Sequence, residues 1–364
     1  MVKAAKHIAI CSTSYYEYDR RLQRITKTLA EAGYKLSWLS RKKDSSSKPL
    51  PYLNHIIINT KNSRGPSFYR EYNQLLKKEL IKLRPDIINS IDLDTILGCY
   101  KAKQKLGCRI THDAHEIYYE VPELLNKPVK KGIWKLLAKR YLPKIDVNYT
   151  VNQSLKNHYE SAYKQSYEVI RNVPSAEQSQ AKKTKPKINN KTLIYLGVLN
   201  KGRGIEIAIS AMRELTEYKL LLVGEGDNSQ QLRESAANLS NVKFLGYRQP
   251  QELAELLEEA SIGLNILQAE SLNYKLSLAN KFFDYMHAGL PSINMAYPEY
   301  QHIISQYTVG LMIESYDEKA LVSAIRQLEN REKYYDLSKS ALDSRTQFTW
   351  ESEQAKLLNI YNSI

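Results

Sequence analysis

The sequence predicts an α/β protein made of two doubly wound domains, each a parallel sheet with helices on both faces. Three observations predict this. At 364 residues the chain exceeds the size at which one hydrophobic core usually keeps growing. Short apolar runs alternate with segments of helical period, as in a parallel sheet wrapped by crossover helices. That alternation runs its course, stops at the polar, lysine-rich stretch PSAEQSQAKKTKPKINN (174–190), and begins again.

In the first half the expected strands are HIAICS (7–12), YKLSWLS (34–40), HIIIN (55–59), DIINS (86–90), RITH (109–112) and DVNYT (146–150). Between the first two lies RRLQRITKTLAEAG, where Leu22, Ile25 and Leu29 share a helix face and Gly33 ends the helix. The second half repeats the scheme with KTLIYLG (191–197), YKLLLVG (218–224), VKFLG (242–246), SIGLNIL (261–267) and LPSIN (290–294). The closing FTWESEQAKLLNIYNSI reads as a helix with Trp350, Leu357, Leu358 and Tyr361 available for packing. The expected division is a first domain over 1–172, a linker over 173–190, a second domain over 191–345, and a helix over 346–364 that packs back toward the first domain. Ligand sites in such domains lie at the carboxyl ends of the strands.

Composition narrows the function classes. With 43% hydrophobic and 25% charged residues the chain is globular. No segment approaches the roughly 20 apolar residues that cross a bilayer, and the apolar run in MVKAAKHIAICS is short for a signal peptide. Cys11, Cys99 and Cys108 are odd in number and lack metal-ligand spacing, which suits reduced thiols in a cytoplasmic protein. Residues 1–172 carry 32 Lys and Arg against 16 Asp and Glu, whereas residues 173–364 carry 21 against 23. The whole excess of +14 therefore sits on the first half, which suits an anionic partner. A solvated lysine-rich surface gives the same count. No nucleic-acid-reading motif accompanies the charge, so nucleic acid is not expected. The segment VKKGIWKLLAKRYLPKID (129–146) mixes basic and apolar residues, as do helices lying on anionic membranes and helices that cover a core.

The most informative motif is YLGVLNKGRGIEIAISAM (195–212), a strand, a glycine-containing loop and a helix. Loop amides and a helix start favour an anion, and Arg203 adds a bidentate donor fork. LVGEGDNSQQL (222–232) is a second strand with a Gly-acidic-Gly turn. In SLNYKLSLANKFFDYMHAGLPSIN (271–294), Asn280, Lys281 and Asp284 lie early in a helix that Gly289 and Pro291 end. Asp284 suits ribose hydroxyls; alone it reads equally as an exposed helix carboxylate.

In this order GVLNKGRG, GEG, FLG and DYMHAGLP resemble the motifs of retaining glycosyltransferases of family 4. The resemblance implies the GT-B fold, two Rossmann-like domains facing an inter-domain cleft. It implies a donor site of Gly197, Lys201, Gly202, Arg203, Gly204, Gly224, Glu225, Gly246, Tyr247, Ser277, Asn280, Lys281 and Asp284. Two departures stand out: Val198 replaces the family's first phosphate-binding arginine, and Leu276 the first of its paired glutamates. Arg203 must then hold more of the diphosphate charge, with Lys201 or Lys281, and backbone amides of Ser277 to Asn280 can substitute for the missing carboxylate.

The stretch THDAHEIYYE (111–120) closes a strand of the first domain. The resemblance implies that His115 contacts the donor sugar and reacting centre; a purely structural turn is the alternative reading of the cluster. A metal is disfavoured: His112 belongs to the strand, where alternation turns neighbouring side chains apart, and no third ligand has recognisable spacing. Asp113 and Glu116 orient His115 or cap the next segment. With Asp19 and Arg20 of STSYYEYDRRLQR (12–24) they are also candidate acceptor ligands.

The implied reaction moves a sugar from a nucleotide diphosphate-sugar to an acceptor hydroxyl with retention, in surface polysaccharide or glycolipid assembly. The resemblance implies that the leaving phosphate takes the acceptor proton, so that no carboxylate base is required, and that the GT-B fold needs neither metal nor other cofactor. The expected location is cytoplasmic, with a peripheral position at the inner face of the membrane open to the basic first domain. A catalytically degenerate relative that serves as a binding or scaffold protein is the alternative.

Overall fold

A computed structural model describes residues 5–14, 19–41, 50–176 and 187–364. Part of the loop after the first strand (15–18) and most of the expected linker (177–186) lie outside the described residues. The chain forms two compact units, residues 1–172 with 353–364, and residues 173–352.

The first unit holds a parallel seven-stranded sheet of β1 (His7–Cys11), β2 (Lys35–Ser40), β3 (Leu53–Ile57), β4 (Ile87–Ile91), β5 (Arg109–Ala114), β6 (Val147–Thr150) and β7 (Tyr167–Val169). Their order is β3-β2-β1-β4-β5-β6-β7. Helices α1 (Arg20–Glu31), α2 (Gly65–Leu83), α3 (Ile96–Leu106), α4 (Pro128–Tyr141) and α5 (Gln153–Tyr163) cover it. All five residues of β1 and of β4 are buried, as expected where helices lie on both faces. Leu22, Ile25 and Leu29 of α1 are fully buried, on the face their spacing predicted.

The second unit holds a parallel six-stranded sheet, order β10-β9-β8-β11-β12-β13. Its strands are β8 (Thr192–Leu196), β9 (Lys219–Val223), β10 (Val242–Gly246), β11 (Ile262–Asn265), β12 (Ser292–Met295) and β13 (Gly310–Ile313). Its helices are α6 (Ile205–Ala211), α7 (Ser229–Ser235), α8 (Pro250–Glu259), α9 (Leu272–Lys275), α10 (Asn280–His287), α11 (Pro298–Tyr307), α12 (Glu318–Gln327) and α13 (Arg331–Ser344). The last helix, α14 (Trp350–Asn362), belongs to the first unit from Glu353 onward. There the Tyr361 hydroxyl lies 3.1 Å from that of Tyr149, and Glu353 accepts from the Arg171 amide at 2.9 Å. Val173, the first residue of the expected linker, is buried in the second unit's core.

Two strands, β7 and β13, went unrecognised in the sequence. Each is an edge strand of three or four residues, too short to show a period. In both sheets the order reverses between the unit's first strand in sequence and its fourth, at β1/β4 and at β8/β11. Crevices that bind ligands open at such points. In the second unit β8 and β11 pair over only two residues each. The Tyr285 hydroxyl takes the place of the missing ladder: it accepts from the Leu196 amide at 3.1 Å and is in reach of the carbonyls of Ile194 and Leu264. Gly263 makes room for that ring, since a Cβ there would meet it at 2.4 Å.

Candidate functional site

In the second unit the chain leaves β8 through glycines whose conformations other residues rarely adopt. Gly197, Gly202 and Gly204 have φ of +132°, +77° and +78°. A Cβ on Gly204 would lie 2.2 Å from the Ile266 carbonyl oxygen, and one on Gly224 would lie 2.0 Å from that of Gly197. The loop therefore packs backbone on backbone at the splayed ends of β8 and β11.

Two cations meet at this loop. The Arg203 guanidinium lies over the Tyr274 ring at 4.7 Å, and its buried Nε has no hydrogen-bond partner among the described residues. Lys281, in the first turn of α10, is 6% exposed. Its Nζ sits 3.4 Å from the centroid of the Tyr195 ring, equally without a partner, and a Cβ on Gly197 would lie 3.6 Å from it. Burial holds this ammonium well below the usual lysine range, Arg203 adds to the depression, and Asp284 opposes it. A buried cation without a counter-charge is unfavourable by several kcal/mol in order of magnitude. Lys281 beside Gly197, with Arg203 acting on it electrostatically, concentrates positive charge at this loop.

The other residues expected at a donor site divide. Asp284 lies one turn along α10 from Lys281 and is half-buried, and Asn280 opens that helix. Lys201 is exposed, as are Val198 and Tyr247, at 50% and 56%. Glu225 faces solvent in an ion pair with Arg233, while its carbonyl accepts from Leu199. Gly246 (φ +68°) accepts through its carbonyl from the Gly224 amide at 2.9 Å. The expectation that the amides from Ser277 to Asn280 replace the missing glutamate needs correction. The Ser277 amide donates to the Tyr274 carbonyl at 3.3 Å, and the Ala279 amide donates to the Tyr300 hydroxyl at 2.9 Å. Helix α9 and Tyr300 already satisfy two of those four groups.

In the first unit His115 follows β5, at the carboxyl end next to β4. Its amide donates to Asp92 Oδ1 at 2.8 Å. Its imidazole lies between two carboxylates, with Nε2 3.0 Å from Asp113 Oδ2 and Nδ1 3.8 Å from Asp92 Oδ2, and the side chain is 22% exposed. Burial disfavours the charged ring, yet Asp113 and then Asp92 outweigh it and push the pKa up to about 9. Burial drives the Asp92 carboxyl up to about 8 despite His115. Asp92 also has φ +50°, a left-handed conformation that stores strain in a non-glycine residue. Beside it burial pushes Asp94 up to about 6, against hydrogen bonds from Thr13 and Tyr118.

Strand β5 runs to Ala114, two residues beyond RITH, and this corrects the place of Asp113. It is wholly buried in the strand, not open to an acceptor. Arg21, 2% exposed, donates to it through Nε at 3.0 Å and Nη2 at 2.8 Å, and through Nη1 to the Ile170 carbonyl at 2.6 Å. Burial alone would raise the Asp113 carboxyl, but Arg21 and His115 hold it well below the usual range. Asp19 is likewise engaged, capping α1 through the Leu22 amide at 2.9 Å and accepting from Ser14 at 3.1 Å. Arg20 and Glu116 are half-buried near the same strand ends. His112 is packed edge-on against Tyr159 and Tyr167, and burial lowers its pKa to about 4.

Sequence reasoning placed Arg21 with Asp19 and Arg20 among candidate acceptor or phosphate contacts, not as the buried partner of Asp113, and it passed over Asp92 and Asp94. The signal for the last two was present in NSIDLD (89–94), carboxylates directly after the strand at the reversal point. Among the described residues no group of three or more His, Cys, Asp or Glu is placed to hold a metal. No described helix is long and apolar enough to cross a membrane.

Comparison with known proteins adds two family matches. Residues 190–331 match the family described as glycosyl transferases group 1, and residues 19–174 match glycosyltransferase family 4. No curated protein matches in sequence. Among solved structures, a sucrose-phosphate synthase from Thermosynechococcus elongatus superimposes with a TM-score of 0.79 at 18% identity, covering 98% of each chain. Anabaena Alr3699/HepE, solved with UDP and glucose, gives 0.78 at 14% identity, covering 98% of this chain and 99% of its own. WaaG, a glycosyltransferase involved in lipopolysaccharide biosynthesis, gives 0.74 at 14%, covering 97% and 99%.

Proposed function

We propose that this chain, a glycosyltransferase of the GT-B fold, transfers a hexose from a nucleoside diphosphate-sugar to an acceptor hydroxyl with retention at the anomeric carbon. The observation that carries the donor assignment is the partnerless Lys281 ammonium beside Arg203 and Gly197. It fits a diphosphate, which needs charge and close backbone approach in one place.

As the bond between the anomeric carbon and the diphosphate oxygen breaks, negative charge grows on that oxygen. Fixed cations there stabilise the transition state because they need no reorganisation. Arg203 and Lys281 take this role. The acceptor oxygen bonds to the same face of the anomeric carbon, and its proton passes to the departing phosphate. No carboxylate base is then required. His115 positions the sugar and the incoming hydroxyl, and Asp113 and Asp92 keep its ring charged and oriented. Of the expected acceptor residues, Arg20 and Glu116 stay in that role. Asp284 is assigned to the ribose.

A place in surface polysaccharide or glycolipid assembly is supported by the likeness to WaaG and by the basic first half. Calorimetry with UDP, GDP and ADP and their sugars, followed by anomeric-proton spectra of the product, tests the reading. A protein that binds none of these nucleotides lacks the donor site, and an inverted product removes retention.

A further inference from the structure

Helix α4 is apolar on two opposite faces. Its inner face carries Trp134, Ala138 and Tyr141. Trp134 meets the rings of Tyr69 and Tyr118 edge-on at 5.0 and 4.7 Å, and Tyr141 packs near Tyr100 at 5.3 Å. One such face is what a covering helix needs. The outer face is not explained by packing. Val129, Ile133 and Leu136, at spacings of four and three, fall on one stripe and are 76%, 50% and 66% exposed. These are three of the few large apolar side chains that the described residues leave in water.

The charge around that stripe has one sign. The helix PVKKGIWKLLAKRY contains Lys130, Lys131, Lys135, Lys139 and Arg140 and no acidic residue. Lys131 and Lys135 reach inward to Glu120 at 2.6 and 3.2 Å. Lys130 flanks the stripe on one side, Lys135 and Lys139 on the other, and Arg140 continues its line.

We infer that the outer face of α4 docks on an anionic phospholipid bilayer, with Val129, Ile133 and Leu136 at the acyl boundary and the basic residues among the headgroups. A protein partner with a matching apolar groove would not need an acid-free helix, whereas a lipid surface of negative potential rewards both features at once. The inner face supplies a reason for the position. Trp134 packs on Tyr118, whose hydroxyl reaches Asp94 at 3.4 Å, so the docked helix is one aromatic layer from the strand ends that carry His115. A lipid-borne acceptor would arrive beside them.

The test is co-sedimentation of the full chain with phosphatidylcholine vesicles and with vesicles holding about one third phosphatidylglycerol. Binding is expected only to the anionic vesicles, falling about ten-fold or more when salt rises to about 0.5 M. The double variant Ile133→Asp/Leu136→Asp should lose that binding while keeping the wild-type melting temperature and nucleotide affinity, since both side chains are exposed. Failure to bind, equal binding to both vesicles, or undiminished binding of a folded double variant would overturn the inference. So would a dimer in analytical ultracentrifugation that the double variant abolishes, because the stripe would then be a protein contact. None of these readouts needs turnover, so they stand apart from the donor assignment.

Discussion

The Nζ of Lys281 lies 3.4 Å from the centroid of the Tyr195 ring, buried and with no hydrogen-bond acceptor among the described residues. The ring face and the Asp284 carboxylate attract this ammonium, while burial and Arg203 work against it. A side chain kept in so unfavourable a place is stabilised by what binds there.

Replacing Lys281 should therefore separate stability from binding. Lys281→Met is expected to raise the melting temperature by a few degrees, because an apolar side chain fits the site without a desolvated charge. It should weaken nucleoside diphosphate binding about 10- to 100-fold, the weight of a charge-assisted contact. Paired melting and calorimetry runs check both; a loss of stability with unchanged affinity would make Lys281 a structural residue.

Binding should also move protons. Burial depresses the Lys281 pKa in the free protein, and a diphosphate beside it restores the ordinary preference for the ammonium. The expected sign is proton uptake that grows as the pH is raised, seen as a dependence of the calorimetric enthalpy on the buffer's ionisation enthalpy. The same enthalpy in buffers of different ionisation heat would contradict it.

The Arg203 guanidinium lies over the Tyr274 ring at 4.7 Å. Arg203→Ala should sharply reduce diphosphate affinity, and Arg203→Lys should recover little, since a lysine supplies neither the planar fork nor the stack. Full recovery by lysine would show that charge alone matters at this position.

Arg21 and Asp113 form a buried pair, 2% and 0% exposed. Removing one partner leaves a buried charge, so Arg21→Met should destabilise the protein by about 3–5 kcal/mol in denaturant unfolding. The Asp113 carboxyl is depressed below its unfolded value. Its contribution is present above the unfolded value and disappears as pH falls through the folded one, which places that loss in the acid limb.

His115 works in the opposite direction. Its folded pKa of about 9 exceeds the unfolded value near 6.5. The stabilisation it brings is complete below about 6.5 and lost as pH rises through about 9. If the imidazolium is the working form, kcat should decline through that upper limb. Asp92→Asn removes one of the two supporting carboxylates and should move the limb to lower pH, a shift that a purely structural Asp92 would not produce. His115→Ala should leave nucleotide affinity nearly intact and lower transfer about 100-fold or more. Wild-type turnover in that variant would end its role.

By itself the sequence determined the features that repeat locally. Apolar runs and helical spacing set eleven of the strands and the α1 face, because a buried parallel strand and an amphipathic helix each write their period into neighbouring residues. The glycines after β8 and β9 were legible because positive φ excludes most side chains, and a Cβ on Gly204 or Gly224 would fall 2.2 or 2.0 Å from a carbonyl oxygen. Tertiary structure alone decided which charges meet. Arg21 reaches Asp113 across 92 residues, and Asp92 comes beside His115 only because β4 and β5 are neighbours. Lys281 loses its water because α10 lays it on the Tyr195 ring. Strand order and burial govern those pairings, and neither is carried by residues adjacent in sequence.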